Sequence, residues 1–377
     1  MNLRRTAAVA HKESIQILRD VRSLLIILLM PAMLMLLMGY GMSLDQKHVP
    51  VCFFDRDLSQ ESRDLLNRFR SSEYFGFVTA APTYAAIVSA LDGSRCSLGL
   101  VIPNDFAERM HEGGDVAVEG IVDGTDDNTA NVVFTYAESV VAEFSQSVQL
   151  DYLERSGLRV GTGALALEPR VWFNESLESR NFIVPGVVAL VMAVIGAFLA
   201  SLTIAREWER GTMEQLISTP VTRLEITLGK LLPYFAVGVA DTAICLVVVV
   251  LWFAVPMRGS WPALVLASMM FLLTVLMLGF WISAATRSQL LASQFSLLAT
   301  LLPSFLLSGF GFPIRQTPAV VRAMSYLVPA RYYVLLLKDI FLKGAGVARE
   351  WQPLLALGLF ALLISFMAIR SFDKILR

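Results

Sequence analysis

Arg206-Glu207-Trp208-Glu209-Arg210-Gly211-Thr212-Met213-Glu214-Gln215-Leu216-Ile217-Ser218-Thr219-Pro220-Val221-Thr222-Arg223-Leu224-Glu225-Ile226-Thr227-Leu228-Gly229-Lys230 is the longest polar interruption in the second half of this chain, and it separates two strongly apolar runs. Gly211 breaks the preceding helix, because glycine adopts left-handed backbone at little cost. Thr212, with Gln215 three residues on, has the spacing of a capping box for a new helix. Pro220 stops that helix by pushing the residue before it out of the α region. Thr222 and Glu225 form a second box that launches the next apolar run. An ordinary polar loop is the competing reading, and two consecutive boxes around one proline favour the helix. A short rigid helix between two membrane spans suits a surface that receives a push from another protein.

Composition agrees with a chain built of spans. The 377 residues are 55% hydrophobic and 17% charged, with a mean hydropathy of +0.61, whereas soluble domains carry roughly a quarter charged residues. The net charge of −1 comes with no basic domain to follow a phosphate backbone, so nucleic acid is not expected as a partner. His11, His48 and His111 are scattered without ligand spacing, and no metal site is expected. No G-x-x-x-x-G-K-[ST] run occurs; Gly229-Lys230 is followed by Leu231. No cofactor is therefore expected in this chain, and no Ser–His–Asp or Cys–His set marks the membrane half as an enzyme.

Upstream, residues 1–23 place Leu3, Ala7, Ala10, Ser14, Ile17 and Val21 on one helical stripe, with Arg4, Arg5, Lys12, Arg19 and Arg22 on the other faces. This predicts a basic amphipathic helix in the membrane interface, although a topogenic charge cluster would use the same residues. Residues 24–42 are apolar and long enough for a ~30 Å hydrocarbon core. No small-x-small site follows, so they read as an uncleaved first span with the basic N-terminus in the cytoplasm.

Residues 43–181 read as an extracytoplasmic α/β domain inserted between the first and second spans. Strands are expected at 49–54, 75–79, 97–102 and 116–122. Helices are expected at 59–71, 83–91, from Pro103-Asn104-Asp105 through His111, and from Asp126 or Asp127 to about Arg155. That alternation implies a mainly parallel sheet. No glycine-rich loop follows a strand, and Gly113-Gly114 reads as a turn. Asp123, Asp126 and Asp127 lack the rest of a calcium loop and read as a solvated helix start. Residues 158–178, with Trp172 and Phe173, read as an irregular return to the membrane. Cys52 and Cys96 share this domain; spacing fixes no geometry, and their pairing stays open.

Five more spans follow in residues 182–377, at 182–204, 231–254, 263–285, 290–312 and 354–369, completing a polytopic α-helical protein of six transmembrane helices. Pro256 to Pro262 makes an outer turn and Thr286 to Gln289 an inner one. The segment 313–353 should lie outside, yet it carries Arg315, Arg322, Arg331, Lys338, Lys343 and Arg349, against the positive-inside tendency. Its semi-apolar part, 326–342, suggests partial re-entry. A basic tail with Arg370, Lys374 and Arg377 keeps the C-terminus in the cytoplasm. Asp241 is the one acid deep in a span, and burying it costs about 2.5–3.5 kcal/mol on insertion scales. It either serves function, at a dimer interface or a cationic substrate, or bonds a neighbour such as Ser293 or Gln294.

The run Glu207-Trp208-Glu209-Arg210-Gly211-Thr212-Met213-Glu214-Gln215-Leu216, closed by Thr219-Pro220, resembles the E-x-E-x-G-T-x-E-x-L-x-x-T-P signature of ABC-2 type transporter permeases. Val184-Pro185-Gly186 and Ser325-Tyr326-Leu327-Val328-Pro329-Ala330-Arg331-Tyr332-Tyr333 look like two further family segments, so the resemblance covers the whole chain. It implies that 206–230 holds a coupling helix that docks on a separate ATPase subunit. Glu207, Glu209, Arg210, Gly211, Thr212, Glu214, Gln215, Leu216, Thr219 and Pro220 then carry the coupling. Glu207, Glu209, Arg210 and Glu214 are expected at the docking surface. The same resemblance implies ATP and Mg bound by that partner, a second permease copy or a paralogous permease, short external re-entrant helices in 313–353, and a bacterial inner-membrane location. Analogy with drug-exporting relatives adds a periplasmic membrane-fusion adaptor to the partners. A non-transporting sensor or scaffold whose outer domain binds a ligand is the rival class.

Overall fold

The computed structural model describes residues 2–41, 48–112, 116–125, 127–155, 173, 178–311, 314 and 317–371. The Gly113-Gly114 turn, Asp126, nearly all of the return stretch including Trp172, Pro313, Arg315, and the tail with Lys374 and Arg377 lie outside the described residues. The chain divides into two compact units, residues 44–170, and residues 1–43 together with 171–377.

Helix α1 (Leu3–Arg19) is capped by the Asn2 side chain, which accepts from the Arg4 N–H. Helix α2 (Val21–Gly41) follows with Pro31 inside it. The 44–170 unit then alternates as its apolar periodicity predicts: β1 (Val49–Asp55), α3 (Gln60–Ser71), β2 (Phe75–Ala80), α4 (Tyr84–Asp92), β3 (Leu98–Ile102), α5 (Phe106–His111), β4 (Glu119–Val122) and α6 (Asp127–Arg155). The sheet order is β2-β1-β3-β4, parallel except for the antiparallel β3–β4 pair. Successive β1 side chains point to opposite faces. Val51 and Phe53 join Leu65, Phe69 and α6 residues Val133 and Phe144 on one face; Cys52 joins Ile87 and Leu91 of α4 on the other.

Cys52 and Cys96 form a disulfide across that second face, with Cα atoms 5.8 Å apart and a sequence separation of 44. In the chain-entropy picture, closing such a loop stabilises by about 4 kcal/mol. The full chain treated with a reductant, or carrying Cys52→Ser, is expected to lose protease resistance within 44–170 well before the apolar helices melt. Unchanged cleavage kinetics would refute this.

The second unit continues with α7 (Ser179–Glu209), α8 (Met213–Ser218), α9 (Arg223–Val247, continuing as a π-helical turn through Trp252), α10 (Trp261–Thr286), α11 (Gln289–Leu306), α12 (Ala319–Ser325), α13 (Pro329–Lys343) and α14 (Trp351–Ser371). Among the described residues α7, α9, α10, α11 and α14 are long and apolar enough to cross a bilayer; a sixth counts if α12 and α13, bent by 85°, are one broken span. The apolar stretch of α2, Ile27–Gly41, is shorter and falls outside that count. Helix α7 is the centre: 83% of its most apolar window is buried, against 22% in α11 and α14. A helix apolar on every side belongs inside a bundle.

Helix α11 ends at Leu306, six residues short of the expected span end. Pro303 removes one N–H, Gly309 turns back at φ +80°, and the Ser308 hydroxyl bonds the Ser304 carbonyl. Three basic side chains of the next segment, Arg331, Lys338 and Lys343, are engaged locally. Lys338 donates to the Gly309 carbonyl at 2.8 Å and lies over Phe182, Arg331 stacks on Tyr326, and Lys343 pairs with Asp339.

Candidate coupling site

Helix α7 ends at Glu209, and Gly211 turns the chain at φ +70° with open space around it. The Thr212 capping box is not formed. Thr212 sits in the αR region, and its hydroxyl donates to the Glu207 carboxylate and toward the Glu207 carbonyl. A charged acceptor outcompetes a backbone N–H for one hydroxyl. Helix α8 is nevertheless clamped, because Thr219 is extended ahead of Pro220. The second box is complete: the Glu225 N–H donates to Thr222 Oγ1 at 3.3 Å, and the Thr222 N–H to Glu225 Oε2 at 2.9 Å.

The two sides of α8 differ. Met213 is fully buried, and Leu216 and Ile217 pack against the bundle core. Glu214, Gln215 and Ser218 are exposed, as are Arg210 and Pro220. Thr219 is half-buried and its hydroxyl donates to the Leu216 carbonyl at 2.6 Å. Glu209 is exposed but occupied, accepting from the Gln289 N–H at 2.7 Å and from the Gln289 side chain at the start of α11. Arg287, left-handed at φ 54°, stacks over Trp208.

Glu207 is buried in the bundle, unlike Glu209, Arg210 and Glu214. Only 8% of its side chain is exposed; its Oε1 lies 2.9 Å from Lys230 Nζ and 2.8 Å from Lys12 Nζ. Lys230 Nζ also reaches Glu13 Oε1 at 2.5 Å. Two acids and two lysines from α1, α7 and α9 thus form one neutral cluster around Lys230, whose side chain is 1% exposed. Further bonds tie α1 to the same place. Arg5 donates to the Pro220 carbonyl, and the Asn2 N–H donates to Glu225 Oε1. Gly229 allows α1 this close, since a Cβ there would lie 2.7 Å from Val9 Cβ and 3.0 Å from the Thr6 carbonyl oxygen.

The stripe of α1 shifts accordingly. Thr6, Ala10 and Glu13 are its buried residues, while Leu3 is 72% exposed and Ala7 and Val21 are exposed too. Sequence reasoning passed over Glu13 and Lys230 as a pair. The signal was present: Glu13 is the only acid among the basic residues of α1, and Lys230 sits at the edge of the apolar run that begins at Leu231. Opposite charges isolated in that way require partners.

Among the described residues, Asp241, 5% exposed, has no hydrogen-bond partner on either carboxylate oxygen. The bond to Ser293 or Gln294 is not made; the Ser293 hydroxyl donates to the Leu290 carbonyl, and Gln294 is exposed. A small crevice with Pro31, Met192, Gly196 and Cys245 surrounds Asp241.

The family described as "ABC-2 family transporter protein" matches residues 22–370. The "Probable multidrug ABC transporter permease YbhS" of Escherichia coli is 39% identical over 345 residues, 91% of this chain and 90% of that one. "Probable multidrug ABC transporter permease YbhR" of the same organism is 25% identical over 91% of both chains. The E. coli "Inner membrane transport permease YhhJ" is 27% identical over 82% of this chain and 80% of its own. With a family match running from the start of α2 almost to the end of α14, and a relative similar over nine-tenths of its length, this multi-pass membrane protein belongs to the ABC-2 family of transporter proteins.

Proposed function

We propose that this chain is the permease subunit of an ATP-driven exporter in a bacterial inner membrane, with both termini in the cytoplasm and residues 43–181 in the periplasm. The observation that carries it is the two-sided α8, seated on the core through Met213 and exposing Glu214, Gln215 and Ser218 to a partner. That partner is a separate ATPase subunit, which binds ATP and Mg. A second permease copy or a paralogue supplies the other half. The Cys52–Cys96 disulfide supports an oxidising compartment for the inserted unit. Similarity to probable multidrug permeases supports drug-like substrates, and the partner of the inserted unit is then a periplasmic adaptor.

Closure of the ATPase pair pushes on α8. Thr212 hands the displacement to Glu207, and Glu207 to Lys230 and Glu13, so that α7, α9 and α1 move as one block. Access to a central path changes as that block tilts. Asp241 faces that path or the second permease, where an unpartnered carboxylate has use for a cation or a donor. The test is a pull-down of the tagged chain from mild detergent with ATPase assays on what co-purifies. An ATPase in equal copy number, with drug-stimulated turnover in vesicles, is the expected result. Recovery of periplasmic proteins alone would replace the exporter by a sensor or scaffold.

A further inference from the structure

At the α8 end of the bundle a groove of about 590 Å³ opens beside the buried cluster, lined chiefly by Lys12, Arg19, Asp20, Arg206, Arg210 and Gln289. Three elements build it: the last turns of α1, the end of α7 and the first residue of α11. Lys12 is spent on Glu207, and nearby Arg287 is stacked on Trp208. Three guanidinium groups then face one lining carboxylate, Asp20. None of the three forms an ion pair among the described residues. Arg206 and Arg210 are one helical turn apart and project to the same side.

The depth of the groove is set by the sequence around it. The apolar run of α7 ends at Ala205, one residue before Arg206, and that of α11 begins at Leu290, one residue after Gln289. The groove therefore lies where the hydrocarbon region gives way to headgroups. Ile15 lines it at 39% exposure, and Leu18 and Leu290, the sequence neighbours of lining residues Arg19 and Gln289, are each 64% exposed. A basic pocket between helices at that level, with an exposed apolar wall beside it, matches an anionic headgroup whose acyl chains run along the wall.

We propose that this groove binds the phosphodiester headgroup of an anionic glycerophospholipid, of the phosphatidylglycerol or cardiolipin class. Guanidinium groups fit phosphate oxygens in bidentate pairs. A zwitterionic headgroup brings an ammonium into a site already rich in cations and is disfavoured. The bound lipid bridges α1 to α7 and α11, beside the charged cluster that joins α1 to α9. The proposal concerns the permease alone and does not depend on any ATPase.

The test uses the purified full chain in neutral detergent. Phosphatidylglycerol or cardiolipin is expected to raise the melting temperature and to stay bound in native mass spectra, and phosphatidylcholine is expected to do neither. Arg19→Gln with Arg206→Gln should weaken the anionic-lipid effect roughly 10- to 30-fold, with the melting temperature in lipid-free detergent unchanged. Should the double variant fail to fold, Arg19→Gln alone, on the exposed end of α1, makes the same measurement. Equal stabilisation by phosphatidylcholine, or an undiminished response in the variants, overturns the proposal. Equal stabilisation by inorganic phosphate overturns the lipid assignment in favour of a simple anion site. An intact lipid response together with loss of ATPase binding in the variants assigns the groove to an acidic protein surface instead.

Discussion

Lys230→Met lowers the melting temperature of the solubilised permease by on the order of 10 °C, whereas Lys12→Met changes it by no more than a degree or two. Both lysines touch the same oxygen of Glu207. They differ in burial, with 1% of the Lys230 side chain exposed and 55% of Lys12. Removing Lys230 leaves Glu13 buried without its cation and Glu207 with Lys12 alone, and breaking a buried pair costs about 3–5 kcal/mol. Removing Lys12 deletes a half-exposed contact worth about 0–1 kcal/mol. Replacing Glu13, Glu207 and Lys230 together by apolar residues of similar size should restore most of the stability, because no charge is then left uncompensated. It should not restore transport coupling, because Thr212 loses its acceptor on Glu207. Equal melting temperatures for the two lysine variants would remove the cluster from the account.

Glu214→Lys leaves the permease as stable as the parent and abolishes stimulation of the partner ATPase. The side chain is exposed, unlike that of its buried neighbour Met213, so the fold has no stake in its charge. Reversing a charge inside a complementary interface costs several kcal/mol, about a hundredfold or more in affinity. Gly211→Pro gives the same uncoupling by another route. Proline holds φ near −65°, the turn requires +70°, and α8 is presented at a wrong angle. Gly211→Asn, which tolerates left-handed backbone, should retain most coupling. ATPase assays in proteoliposomes decide it: full stimulation in both Glu214→Lys and Gly211→Pro would rule out docking through α8.

Much of the architecture was legible before any coordinates. The strand and helix order of 44–170 follows from alternating apolar residues and from caps such as Ser59 and Thr83, both of which form. The Gly211 and Pro220 boundaries of α8 are local chemistry and appear where expected. The Thr212 box failed for a reason outside its own four residues. The hydroxyl found a better acceptor in Glu207, whose position depends on Lys230. Helix α11 ends earlier than the expected span because Gly309 takes left-handed backbone and the Ser308 hydroxyl bonds the Ser304 carbonyl, inside a run that stays largely apolar.

By itself the sequence determined the membrane class, the inserted α/β unit, the short clamped helix and the family. Each of these rests on periodicity, composition or residues close in sequence. Only the tertiary structure decided which side of α8 is free, that Glu207 is an internal member rather than a surface contact, that Cys52 and Cys96 pair, and that Glu13 meets Lys230 across 217 residues of sequence. The reason is physical. A charge in an apolar segment announces that it needs a partner, but which partner it meets is fixed by helix packing, and packing depends on close approaches such as Gly229 against Val9 that no local pattern encodes.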